Sequence, residues 1–96
     1  MRDERSSSVS VGVLMDLPPQ QAYHAATVAA LRHAAEALGL DANIDVVRTD
    51  TLRNRPDVAT AYTGLVIGPG SPYRDAEAVL DAIRSARERG VPLVGT

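Results

Sequence analysis

Two spacings of apolar residues alternate along the chain. "VSVGVLM", Val9 to Met15, is a short, β-branched apolar run of the kind that forms a strand buried on both faces. "DLPPQQ" interrupts it. From Ala22 to Leu38 the positions Tyr23, Thr27, Ala30, Leu31, Ala34 and Leu38 recur at helical spacing, and Gly39 follows as a C-terminal cap. "NIDVVRT", Asn43 to Thr49, predicts a second strand. "DTLRNRPDVATAY" is polar and poorly periodic, and reads as a loop with one short helical turn. A third strand is expected over Leu65 to Ile67, running into the turn "GPGSP". Between Asp75 and Arg89, the residues Ala76, Val79, Leu80, Ile83 and Ala86 form one face of a second helix, closed by Gly90. "VPLVG" gives a fourth strand.

Strands alternating with helices through short Gly/Pro turns predict an α/β fold in three layers, a mostly parallel sheet flanked by helices. Right-handed crossovers bring the carboxyl ends of the strands to one edge, where ligands of such sheets bind. The loops at that edge are Met15–Gln21, Gly68–Tyr73 and whatever follows Thr96. "MRDERSSS", residues 1–8, reads as a disordered polar tail ahead of one domain over residues 9–96.

Composition narrows the possibilities. Ninety-six residues suffice for one small domain, and 45% hydrophobic with 23% charged residues is the balance of a globular protein. Aromatic residues are only 3%, so Ala, Val, Leu and Ile must build the core, and marginal stability is expected. A net charge of −2 with interspersed signs gives no argument for nucleic acid or an anionic membrane. With no Cys, disulfides and thiolate metal sites are excluded. No apolar run has the length of a membrane span and the start of the chain has no secretion-signal core, which predicts a cytoplasmic protein.

The Gly68–Pro69–Gly70 turn is the most informative local feature. Glycines let backbone approach a ligand closely, and a turn feeding a helix start presents free N–H groups to an anion. It is neither a P-loop nor a complete GxGxxG, since Tyr73 stands where the third Gly would be, and a plain strand-to-helix turn is the competing reading. Ser71 lacks a nucleophile elbow and reads as a helix N-cap. His24 and His33 lack a third metal ligand. Arg84, Arg87, Glu88 and Arg89 read as a solvated helix end. Asp16, at a strand end, either touches a ligand or caps. No nucleophile, base and orienting acid occur together.

"GPGSPYRDAEAVLDAIRSARERGVPLVGT" resembles the middle of the glutaminase domain of CTP synthase, a class I glutamine amidotransferase. The shared features are the glycine turn, Tyr73–Arg74, Glu77, the arginine rhythm from Ile83 to Glu88 and the last strand. "AYHAATVAALRHA" and "VSVGVLMDL" are similar to that family's first helix and first strand. Proteins carrying this domain without the amidoligase half are the nearer resemblance.

The resemblance implies glutamine as the small-molecule substrate, ammonia delivery to a synthase or other acceptor partner, and no cofactor. It implies that Gly70 supplies an oxyanion-hole N–H and that Gly68 and Ser71 line the substrate. Where the synthases read Pro–Gly–Gly–Phe–Gly, this chain reads Gly–Pro–Gly–Ser–Pro. In the family, the strand equivalent to Val91–Gly95 leads into a Gly–x–Cys–x–Gly elbow, with Gly95 and Thr96 as the Gly–x. The expectation is therefore the N-terminal portion of such a domain, inactive alone, with a reading frame that continues past Thr96, for instance through an in-frame UGA codon. A non-catalytic regulatory module and an unrelated flavodoxin-like domain, each with a small-anion site at Gly68–Ser71, are the alternatives.

Overall fold

The structure, a computed structural model, describes residues 8–16, 21–55, 57–68 and 73–95. Most of the N-terminal tail expected over residues 1–8, together with Gly70 and Ser71, lies outside the described residues.

Among the described residues four strands, β1 (Ser8–Leu14), β2 (Asp41–Val47), β3 (Gly64–Ile67) and β4 (Leu93–Gly95), form one sheet in the order β2-β1-β3-β4. Every pairing is parallel. The helices are α1 (Ala22–Ala37), the single-turn α2 (Val58–Ala61) and α3 (Ala76–Arg89), with a 3-10 helix over Thr49–Asn54 after β2. The fold is thus the small α/β architecture predicted, a parallel sheet flanked by helices and consistent with a flavodoxin-like three-layer arrangement.

Register decides what each strand residue meets. Leu14 pairs with Val47 on one side and Ile67 on the other, so these three share a face. They pack with Leu52 of the 3-10 helix, Val58 of α2 and Val79 of α3. The alternate positions, such as Val13 and Val46, point to the opposite face, and α1 lies against β2. Val13 and Leu14, on opposite faces of β1, are both 0% exposed, because a central parallel strand is covered on both sides, and Met15 just after the strand is equally buried. On the edge strand β2, Asp41, Asn43 and Asp45 are exposed, and their polarity blunts that edge against further pairing.

Both long helices rotate differently from their predicted faces. In α1 the buried or half-buried stripe is His24, Thr27, Val28, Leu31 and Ala35, while Tyr23 and Leu38 are 69% and 72% exposed. In α3, Val79, Ile83 and Ala86 face inward as expected, but Ala78 and Ala82 complete the stripe and Leu80 is 58% exposed. Alanine-rich helices carry several overlapping apolar stripes. In α3 the one turned inward is rich in Ala, whereas in α1 it carries Val28 and Leu31 and leaves Ala30 and Ala34 exposed. Gly39 and Gly90 take positive φ (70° and 71°) after α1 and α3, the capping conformation predicted for both.

The segment read as a mostly polar loop contributes strongly to the core. Leu52, Val58 and Ala59 are buried, and Tyr62 packs against both hydrophobic clusters. Its apolar residues are spaced by two short helices, too short for periodicity to register.

Candidate functional site at the carboxyl edge of the sheet

The chain leaves β1 toward β2 on one side, and β3 lies on the other, so the order of connections reverses between β1 and β3. This is the switch point at which α/β sheets open a crevice at their carboxyl edge. Three segments meet there: Met15–Asp16 after β1, Arg48–Thr49 after β2, and Gly68 after β3. They are tied in register, Met15 N–H donating to Val47 O (3.0 Å) and Gly68 N–H to Leu14 O (3.0 Å).

Asp16 holds two of the segments together with one carboxylate. Oδ1 accepts from Thr49 N–H (2.8 Å), while Oδ2 accepts from the Thr49 hydroxyl (2.7 Å) and from Arg74 N–H (2.7 Å). Thr49 is fully buried, and its Oγ1 also accepts from Asp75 N–H (3.0 Å). One hydroxyl therefore donates to the end of β1 and accepts from the start of α3. In sequence Asp16 reads as touching a ligand or capping a helix. In the structure Asp75 caps α3 and no side chain caps the 3-10 helix, while the Asp16 carboxylate accepts from protein donors on two neighbouring segments.

Gly68 is buried against Met15, and a Cβ built on it would stand 3.0 Å from the sulfur and 3.1 Å from the Cβ of that fully buried side chain. A side chain here would press on Met15, which would have to give by a few tenths of an ångström. Gly68 O accepts from the Tyr73 hydroxyl (2.8 Å), so the two described ends of the glycine turn are linked to each other. Gly68 is thus the one predicted substrate-lining residue that the structure describes, whereas Gly70 and Ser71 lie outside the described residues.

The capping role expected of Ser71 at the start of α3 belongs to Asp75, whose Oδ1 accepts from Ala78 N–H (3.1 Å). Asp75 also takes a two-pronged contact from Arg53, Nε to Oδ2 at 2.6 Å and Nη2 to Oδ1 at 3.1 Å. The Arg53 guanidinium, and then the Ala78 N–H, hold the Asp75 carboxyl below the usual carboxylate range. Arg48 does the same to Asp50. A depressed folded-state pKa adds stability above the unfolded value of about 3.9 and loses it as pH falls through the lower folded value. Acid titration of unfolding from about pH 5 downward should therefore fall less steeply for Asp75→Asn than for the natural chain, the asparagine still serving as a cap. Parallel curves for the two proteins would contradict this.

A groove of about 300 Å³ lies on the flank of α3, lined by Arg53, Arg55, Asp81 and Ser85 over Leu52 and Val58. Neither Asp16 nor Gly68 lines it. His24 and His33 sit on α1, and among the described residues no three His, Asp or Glu side chains are placed to hold a metal. Arg84, Arg87, Glu88 and Arg89 are exposed, as the solvated-end reading predicts. Among the described residues no helix is long and apolar enough to cross a membrane.

Thr49, Tyr73 and Asp75 were not singled out as site residues by sequence. Asp75 had a local signal, an Asp three positions before Ala78 at the head of an apolar-periodic run. Thr49 had none, because its partners are 33 and 26 positions away.

No protein-family model matches the chain. It is similar to CTP synthases: 37% identical over 68 residues to that of Cyanothece sp., covering 69% of this chain. It is 36% identical over 87 residues, or 88% of the chain, to that of Geobacillus kaustophilus. It is 36% identical over 66 residues, or 69% of the chain, to that of Archaeoglobus fulgidus. The matched segment is only 12%, 16% and 12% of those relatives' own lengths. The chain is therefore related to CTP synthase through a segment of that enzyme.

Proposed function

We propose that the chain is an α/β module of the class I glutamine amidotransferase kind, corresponding to an N-terminal part of a CTP synthase-like glutaminase domain, with its substrate edge at the turn following Gly68. The observation that carries this reading is the similarity to CTP synthases over 66 to 87 residues. In this reading Gly70 N–H is an oxyanion donor, and Gly68 and Ser71 flank the glutamine side chain. A fixed N–H aimed at developing negative charge contributes roughly 3 kcal/mol to barrier lowering in acyl transfer.

The chemistry is attack of a thiolate on the glutamine amide carbon. A C–S bond forms, the C–N bond breaks, and a proton delivered to nitrogen releases ammonia for an acceptor protein; water then hydrolyses the thioester. The 96 residues contain no Cys, so the thiolate must come from outside them. Pyrimidine nucleotide synthesis is the setting that similarity to CTP synthase suggests. The missing Cys favours one rival, a non-catalytic module binding a small anion at Gly68–Ser71.

Titrating the ¹⁵N-labelled chain with L-glutamine and separately with inorganic phosphate tests both. The amidotransferase reading expects Gly68 and Tyr73 amide resonances to move with glutamine and not with phosphate, and no glutamate release above blank. Response to phosphate alone would establish the anion module in its place, and silence toward glutamine would refute the amidotransferase reading.

A further inference from the structure

We propose that Asp16 and Thr49 are positioning residues for the substrate edge, fixing where the chain re-enters α3 after the glycine turn. This deepens the glutamine reading above and rests on it for the identity of the ligand.

The argument is one of donors and acceptors. The turn leaves β3 at Gly68 and returns at Tyr73, Arg74 and Asp75. Gly68 is fixed by its N–H on Leu14 O and by its fit against Met15. The return is held by three bonds: Tyr73 hydroxyl to Gly68 O, Arg74 N–H to Asp16 Oδ2, and Asp75 N–H to Thr49 Oγ1. Two of the three run to Asp16 and Thr49, which bond each other through both the backbone and the hydroxyl of Thr49.

The anchor therefore lies just past the ends of β1 and β2, while the segment it holds joins β3 to α3. The Thr49 hydroxyl is fully buried, which shelters its bond to Asp75 N–H from water, whereas the Arg74 N–H to Asp16 bond lies nearer the surface. Catalytic and binding backbone must be held to within a fraction of an ångström, which is the service a fixed acceptor on a rigid strand end provides.

The substitutions separate the two residues' parts. Thr49→Val removes the acceptor for Asp75 N–H and the hydroxyl donor to Asp16, whereas Thr49→Ser keeps both. Asp16→Asn keeps one acceptor, enough for Thr49 N–H, and turns an NH₂ toward Arg74 N–H. Amide hydrogen exchange and an L-glutamine titration on the natural chain, Thr49→Val, Thr49→Ser and Asp16→Asn provide the test.

Exchange at Arg74 and Asp75 should quicken about tenfold in Thr49→Val, and at Arg74 in Asp16→Asn, with β1 amides unchanged. Glutamine affinity should weaken roughly tenfold in both, and Thr49→Ser should restore both readouts. Quickened exchange without loss of glutamine affinity would reduce these residues to fold anchors and overturn the proposal, as would unchanged exchange in either variant. If Thr49→Val fails to fold, Asp16→Asn and Thr49→Ser decide. If the natural chain binds no glutamine, the substrate reading fails and takes the positioning claim with it, whereas binding by the natural chain that the variants leave unchanged overturns the positioning claim alone.

Discussion

Leu14→Ala should lower unfolding free energy by about 3 kcal/mol, a large share of what a domain of this size possesses. Leu14 is 0% exposed and lies on the central strand, with Val47 and Ile67 as its neighbours in register. Helical residues close over it from three elements, Leu52, Val58 and Val79. The backbone around it is fixed by parallel pairing on both sides, so the cavity left by alanine cannot collapse. Large-to-small changes at such sites cost the lost transfer energy and a cavity term together. Urea unfolding followed by circular dichroism is the check. A midpoint within error of the natural chain would show that this cluster does not hold the fold together. The exposed Leu80→Ala serves as the control, with an expected change of no more than about 0.5 kcal/mol.

Gly12→Ala should cost about 2 kcal/mol, although alanine is ordinarily no worse than glycine in a strand. A Cβ at this position would lie 2.6 Å from Cδ2 and 2.8 Å from Cε2 of Tyr62, and 3.1 Å from Cδ2 of Leu65. The ring must swing away, and it is not idle where it lies. Its hydroxyl donates to Asp45 at 2.5 Å, and the Arg55 guanidinium sits 5.7 Å from the ring centroid and donates to the hydroxyl at 3.4 Å. Displacing Tyr62 therefore loses packing over β1 and a tie to β2 at once. A double-mutant cycle isolates the cause: in a Tyr62→Ala background, Gly12→Ala should be neutral or slightly stabilising. An equal cost in both backgrounds would place the strain elsewhere.

Both effects were illegible along the chain for the same reason. Gly12 reads as an incidental glycine in "VSVGVLM", because the ring that requires it stands fifty positions later. Tyr62 itself lies in a stretch whose polarity hides Leu52, Val58 and Ala59, since two short helices bury one side each without establishing a period. At the carboxyl edge, Asp16 was noticed for its place at a strand end, but its partners Thr49 and Arg74 are 33 and 58 residues distant.

What the sequence determined by itself was local or periodic. β-branched runs between Gly and Pro breakers specified four strands, and their alternation with helical spacing specified a parallel sheet, because parallel strands require crossovers. Gly39 and Gly90 specified where helices end, since positive φ disfavours any side chain. Tertiary structure alone decided which of the overlapping apolar stripes on α1 and α3 turned inward, because an alanine-rich helix is apolar on more than one side and its spacing admits more than one inward face. It alone also joined Asp16, Thr49, Arg74 and Asp75, because hydrogen bonds between residues far apart in the chain leave no spacing for a sequence to display.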